Sequence, residues 1–342
     1  MNKSILITGG AGFIGSNLFR YLAEYFSNYT FDILDSLTYA GDVNNLDDER
    51  YSSRLTFWHG DIRNAPLVEK LVSNADIIIN LASETHVTRS IYDDKIFFET
   101  NVIGTDILVN AVLKNNNKLE KLIHVSTSEV YGTSGDEYKN EKHLLEPQNP
   151  YAASKVGADR LISSHKITHN IPAVIVRPFS QFGPRQHPEK AIPRFITSAL
   201  LGEPLTIHGD GSNLRDYTYV DNLADALKKI ILAKNDKVIG EVFNVGSGTC
   251  ISILALTTLI KNYITSKTGI PVSVIFTKAR SSGIEKCISD SSKIKKLLNW
   301  NLNISLEDGL KSTIDWYINN RTWWEHKIAM RHVSTETIKT KL

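Results

Sequence analysis

The 342-residue sequence has only two cysteines, Cys250 and Cys287. They are too few and too far apart along the chain for a disulfide framework or a metal knuckle, and no metal site is expected. Each is read as a small buried apolar residue. An excess of charge of one sign is missing as well: 39 basic side chains face 37 acidic ones, a formal net charge of +2. That balance offers no polyanion-binding surface, so a nucleic-acid partner is not expected. No apolar run reaches the roughly 18 residues of a membrane helix. The opening Met1-Asn2-Lys3-Ser4, followed by Ile5-Leu6-Ile7, is too short in its apolar part for a signal-peptide core, so a cytoplasmic location is expected. Repeats, low-complexity tracts and long linkers are also absent, which suits two closely packed lobes with a cleft between them.

What is present is an ordinary globular composition, 42% hydrophobic and 22% charged, arranged in alternating strand and helix signals. Short β-branched runs at 4–8, 31–35, 55–59, 77–82, 122–127 and 173–177 read as strands. Segments 13–25, 65–73, 96–115 and 150–168 have helical length and periodicity. Strands separated by helices require right-handed crossovers. The predicted fold class is α/β, a Rossmann-type doubly wound parallel sheet. After Arg177 the glycine-punctuated texture of Gly183-Pro184, Gly209-Asp210-Gly211 and Gly246-Ser247-Gly248 marks a smaller C-terminal α/β lobe, with helices over 252–265 and 305–319. The division reads 1–180 for the nucleotide-binding domain, 181–330 for the substrate lobe and 331–342 for a tail. Trp316, Trp323 and Trp324 are expected to cover a core or a subunit contact.

Thr8-Gly9-Gly10-Ala11-Gly12-Phe13-Ile14-Gly15 follows the first strand and opens the first helix. In that context a G-x-G-x-x-G match is a dinucleotide fingerprint. Gly9 and Gly12 allow the tight turn and the approach of a pyrophosphate, Gly15 allows close helix–strand packing, and Phe13 and Ile14 begin the helix whose N–H groups face the phosphates. Asp35 ends the second strand, where a carboxylate accepts bonds from both adenosine ribose hydroxyls and repels a 2′-phosphate. No Arg lies in the next ten residues, so NAD is expected rather than NADP. Asp61 and Ile62, after the third strand, can hold the adenine edge, although a loop-capping role suits Asp61 equally. Leu81 and Ala82 close the fourth strand at the same edge and complete the expected cofactor contacts.

Tyr151-Ala152-Ala153-Ser154-Lys155 puts Tyr and Lys one helical turn apart, so that an ammonium lies beside a phenol and lowers its pKa. Such a pair moves a proton on a hydroxyl while a hydride moves to nicotinamide, and both residues also count as cofactor contacts. Thr127, Ser128 and Glu129 follow the fifth strand, at the carboxyl edge where ligands bind. Thr127 can hydrogen-bond the reacting hydroxyl, and Glu129 is a candidate base.

Taken together, TGGAGFIG, Tyr151/Lys155 and Thr-x-Glu after the fifth strand resemble the extended short-chain dehydrogenase/reductase family. Within it the chain looks most like the dTDP-glucose 4,6-dehydratases. Similar segments run along nearly its whole length: LTYAG at 37–41, LASETHVTRSI at 81–91, ETNV at 99–102, PEKAIP at 188–193, RDY at 215–217 and DWY at 315–317. The resemblance implies an NAD-dependent lyase acting on a nucleotide-linked sugar. Tyr151 would deprotonate the 4-hydroxyl during C4 oxidation, Glu129 would take the C5 proton as water leaves C6, and the hydride would return to C6. It also implies nucleotide-sugar contacts at His86, Asn101, Arg185, Lys190 and Arg215, with Arg89 near His86, and a homodimer through the two long helices at 96–115 and 150–168.

Two departures stand out. Those dehydratases usually carry Asp between Thr and Glu, where it protonates the departing 6-hydroxyl. This chain has Ser128, a far weaker acid that can relay a proton more readily than supply one. GDP-mannose 4,6-dehydratases resemble the chain in their Thr-Ser-Glu, and so do the UDP-glucuronate decarboxylases. Decarboxylation or 4-epimerisation is therefore the alternative activity, and a non-catalytic NAD-binding protein a remote one. The second departure is Arg280–Cys287, where an Arg-rich diphosphate grip is usual and Glu285 and Lys286 stand instead.

Overall fold

The computed structural model describes residues 3–115, 117–133, 137–278 and 286–331. Seven strands, β1 (Ser4–Thr8), β2 (Thr30–Asp35), β3 (Leu55–His59), β4 (Ile77–Asn80), β5 (Lys121–Val125), β6 (Ala173–Pro178) and β7 (Val242–Val245), form one sheet. Their order is β7-β6-β5-β4-β1-β2-β3, and every pair is parallel. Parallel strands must be covered on both faces, which is why β1, β4, β5 and β6 read as apolar runs rather than alternating ones. The order reverses between β1 and β4. A crevice therefore opens at the carboxyl ends of these strands, as it does in doubly wound sheets.

One face carries α1 (Phe13–Tyr25) and α5 (Val220–Leu232), packed through Leu18, Phe19, Leu22, Leu223 and Leu227. The other carries α2 (Ala65–Asn74), α3 (Lys95–Asn115) and α4 (Pro150–His169), packed through Val68, Leu71, Leu108, Val109 and Ile162. The start of α4 follows from its sequence: the Asn149 side chain caps the Ala152 N–H at 2.8 Å, and Pro150 occupies the first turn, where no N–H is needed. Its end at Asn170, with φ 54°, uses the residue type that best tolerates the left-handed region after glycine.

Three sequence expectations change. The helix expected at 96–115 is interrupted by a π turn, Glu99–Ile103, which rotates Asn101 into the interior. By length and composition α3 would pass for a membrane-crossing helix, but its inner face packs on α2 and α4. The division at 180 is not a seam in the core. Strand β7, helix α5 and Trp300 come from the second half of the chain yet belong to the first core, because β7 covers the edge of β6 and buries Phe243 and Val245 there. The segment from 331 onward does not begin as a free tail: Arg331 is buried and pairs with Glu203 at 2.9 Å. Residues 332–342 lie outside the described range.

The second lobe has its own core around Phe182, Ile196, Leu256, Ile260, Ile314 and Tyr317. Trp324 is fully buried in it, and Trp316 and Trp323 pack against it. Among the bonds that tie this lobe to the first, Lys327 Nζ reaches Asp42 at 2.6 Å, and Trp323 Nε1 donates to Asn45 Oδ1 at 2.8 Å.

Candidate active site

The carboxyl ends of β1, β2, β4, β5 and β6 surround a cavity of about 510 Å³ that the second lobe closes from above. Its floor is the glycine-rich turn. Gly9 has φ 71°, and a Cβ there would lie 2.7 Å from Ala82 N; a Cβ at Gly15 would lie 2.4 Å from Gly9 O. Only glycine fits either position. Gly12, the N-cap of α1, has no side chain with which to cap the first N–H groups of the helix. A pyrophosphate backed by Phe13, Ile14, Leu81 and Ala82, all of which line the cavity, suits this cradle.

Asp35 lines the same cavity at the end of β2. Its carboxylate accepts Ala11 N–H at 2.9 Å and Leu37 N–H at 2.8 Å, which fixes its orientation and leaves lone pairs for two further donors. Burial raises its pKa, and these backbone bonds oppose the rise. Asp61 and Ile62 also line the cavity. Asp61 serves its own loop, accepting Arg63 N–H at 2.8 Å and pairing with the Arg63 guanidinium at 2.6 Å.

Above the floor, Tyr151, Thr127, Ser128 and Glu129 all face the cavity. The Thr127 hydroxyl hydrogen-bonds with the Tyr151 phenol and also accepts the Glu129 N–H at 3.2 Å. Glu129 is held by Asn149, whose amide donates to it at 3.3 Å. Burial raises the Glu129 pKa, against the opposing charges of Arg215 and Lys190. A half-buried carboxyl with a raised pKa at a cavity wall is a stronger base than an ordinary glutamate.

The expected effect of Lys155 on Tyr151 is not met in this arrangement. Lys155 is buried and turned to the Val125 carbonyl, to which Nζ donates at 2.9 Å. Burial, helped by the Glu129 charge, raises the Tyr151 pKa rather than lowering it. Burial also pulls Lys155 down to about 8, with Asp159 resisting.

The five substrate expectations divide. Lys190 lines the cavity, its Nζ donating to Thr85 O at 3.3 Å, and Arg215 lies close enough to Glu129 to lower its pKa. The other three do not line the cavity. His86 Nδ1 caps the helix Val87–Tyr92 by accepting Arg89 N–H at 3.1 Å, and its Nε2 lies 3.4 Å from Glu189. Asn101 is buried, with its amide bonded to both backbone groups of Glu84 and to Ser154 Oγ. Arg185 points away, to Asn17 on the outer side of α1, where burial lowers its pKa to about 10. Glu285 and its neighbours at 279–285 lie outside the described residues, whereas Lys286 is half-buried beside Cys287. Cys250 Sγ lies 3.9 Å from the Cys287 carbonyl, so the two cysteines are neighbours in space.

Several cavity residues were not singled out from sequence. Glu189 lines the cavity and accepts the Tyr39 hydroxyl at 2.9 Å; behind it, the Arg89 guanidinium stacks 3.8 Å over the Tyr39 ring. Glu84, Ser180 and Gln181 also line the cavity. Ser180 and Gln181 follow β6 immediately, so the rule that ligands sit beyond strand carboxyl ends points to them. Glu189 gives no such signal, because its distant neighbours, Tyr39 on one side and His86 and Arg89 on the other, come from two separate segments.

A parallel sheet with this crevice, a glycine cradle and a Tyr/Thr/Glu group at one edge defines a nucleotide-dependent enzyme of the extended short-chain dehydrogenase/reductase type. The chain belongs to the GDP-mannose 4,6-dehydratase family, whose model matches residues 6–313. It is 42% identical over 316 residues to the low-salt glycan biosynthesis protein Agl12 of Haloferax volcanii, covering 92% of this chain and 99% of that one. It is 36% identical to a dTDP-glucose 4,6-dehydratase of Actinoplanes over 328 residues, covering 94% and 99%. The crystal structure of the dTDP-glucose 4,6-dehydratase DesIV from Streptomyces venezuelae, which holds NAD, superposes with a TM-score of 0.88 at 36% identity, covering 95% and 99%.

Proposed function

We propose that Tyr151, Thr127, Glu129 and Lys155 carry the 4,6-dehydration of a nucleotide-linked sugar in this chain. The chain is an NAD-dependent nucleotide-sugar 4,6-dehydratase. NAD, bound over the glycine turn, supplies a reversible hydride acceptor at the sugar C4. Every other part of the chemistry is proton handling by side chains. Tyr151 takes the proton of the 4-hydroxyl, and Thr127, bonded to the phenol, aligns that hydroxyl. Oxidation at C4 acidifies the neighbouring C5–H. Glu129 takes that proton, a proton passed through Ser128 as a relay lets the 6-hydroxyl leave as water, and the hydride taken from C4 returns to C6 while a solvent-derived proton is placed back on C5. Lys190 and Arg215 bring positive charge to the side of the cavity where the diphosphate of the substrate would lie.

The observation that carries this reading over 4-epimerisation is Glu129. An epimerase needs only the C4 step, which Tyr151 and Thr127 serve. A half-buried carboxyl with a raised pKa at the same cavity wall is explained by a second proton abstraction. Glu129→Gln separates the two steps. The variant should still oxidise C4, seen as reduced-cofactor absorbance on mixing with substrate, and should make no dehydrated product. Full dehydration by this variant would remove Glu129 from the mechanism.

We further infer a homodimer through α3 and α4. Phe98, Ile103 and Ile167 are 40%, 52% and 83% exposed on these helices, more apolar surface than a free helix pair usually presents. Light scattering at micromolar protein should give twice the chain mass, and a monomer mass would overturn the inference.

A further inference from the structure

Behind the cavity wall lies a cluster of buried polar groups that the chemistry above does not use. Tyr151, Lys155 and Asp159 follow at four-residue intervals along α4, so all three share one helix face. Asp159 is fully buried. Its Oδ2 accepts the Arg177 guanidinium at 2.9 Å, and Arg177 in turn donates to the Tyr131 hydroxyl at 2.9 Å. Oδ1 has no hydrogen-bond partner and faces His124 Nε2, itself without one, at 3.7 Å. The other nitrogen of His124 meets Asn80 at 3.2 Å, and Asn80 is bonded to Thr8 at 2.7 Å. The Thr8 hydroxyl also accepts the N–H of Ala82, a wall of the cavity. The cluster thus runs from the cofactor cradle across three strands to the helix that carries Tyr151 and Lys155.

Such an arrangement is costly unless it serves something. Buried polar atoms are normally satisfied, and a buried carboxylate with one oxygen unpaired is stable only where a nearby cation needs its charge. Arg177 accounts for one oxygen. The remaining cation is Lys155, one helical turn away, which has no carboxylate of its own and bonds only a carbonyl. We propose that Asp159 is a positioning residue that keeps the Lys155 ammonium charged behind Tyr151, with Arg177 fixing its carboxylate.

On α4, Tyr151 lies one turn before Lys155 and Asp159 one turn after it; His124 on β5 feels the Lys155 charge, and Arg177 on β6 is paired with Asp159. His124 is held neutral by burial and by the charges of Lys155 and Arg177. Asp159 is therefore the anion that opposes the effect of burial on Lys155. Because the active form carries the ammonium, activity is retained below the Lys155 pKa and lost as pH rises through it. Without the Asp159 charge that basic limb moves to lower pH.

The inference rests on the assignment of Lys155 and Tyr151 to proton handling, so its test includes a readout independent of turnover. In protein labelled with 13C-lysine, the Lys155 signal, identified by its loss in Lys155→Met, is titrated in wild type and in Asp159→Asn. The midpoint should fall by about one pH unit or more in the variant, a tenfold change in proton affinity. The basic limb of kcat/KM should move with it. Because Asp159→Asn leaves Arg177 buried and unpaired, the double variant Asp159→Asn/Arg177→Gln removes both charges. Once thermal unfolding shows that it folds, it should keep the lowered midpoint. An unchanged Lys155 midpoint in both variants, or a loss of activity uniform across pH, would reduce Asp159 to a structural partner of Arg177 and overturn the proposal.

Discussion

At the scale of single residues the site is organised by burial more than by ion pairs. Tyr151 is buried and Glu129 half-buried, and both are pushed toward their neutral forms. Glu129 must be ionised to take a proton, so activity should rise with pH through a value above the ordinary 4.5 of a glutamate. A kcat profile whose acid limb lies at or below that value would contradict the role. Tyr151→Phe removes the proton carrier and leaves packing intact, since the ring is held among buried neighbours. Turnover should fall by about 10²- to 10⁴-fold, with NAD affinity nearly unchanged by titration calorimetry. Ser128→Asp tests the acid question. A faster dehydration step in pre-steady-state kinetics is expected if the serine only relays a proton.

Residues whose role depends on local sequence were legible from it, and those whose partner arrives from elsewhere were not. Thr127, Glu129 and Tyr151 were readable because a strand end or one helical turn fixes where each points. Asn101 was misread because its amide is consumed by Glu84, 17 positions away and reached only through the π turn. Arg185 was misread for a related reason. With φ 65° it leaves the Gly183-Pro184 turn in the left-handed region, which directs its side chain to Asn17 rather than into the cavity.

At the scale of elements, the turn between β1 and α1 and the π turn in α3 set the site. Gly15→Val would place side-chain atoms against Gly9 O and the Gly10 backbone. Overpacking of this kind destabilises by about 1–3 kcal/mol, and the lost close approach should weaken NAD binding beyond what the lower melting temperature explains. Asn101→Ala should destabilise by a similar amount, since it leaves the buried Glu84 backbone groups without partners. It should raise KM more than it lowers kcat, because Glu84 and Thr85 line the cavity. The six strands read from sequence were found within a few residues, owing to their continuous β-branched runs. Strand β7 escaped that reading: four residues just before Gly246-Ser247-Gly248 carry little periodicity, and only the open edge of β6 makes them a strand.

For the whole molecule, the two-lobe picture holds with a different seam. The first core recruits α5, β7 and Trp300 from the second half of the chain, so the lobes are interleaved rather than consecutive. That interleaving holds Lys190 and Arg215 over the strand ends that carry Tyr151 and Glu129. The central claim is that this enclosed cavity removes water from a nucleotide sugar after transient oxidation at C4. The most direct test is to incubate the protein with NAD and dTDP-, UDP- and GDP-linked hexoses in D2O and to read product mass and label position. Loss of one water with deuterium at C5 is the predicted result. A product of unchanged mass inverted at C4, or loss of carbon dioxide from UDP-glucuronate with no dehydrated hexose, would contradict it.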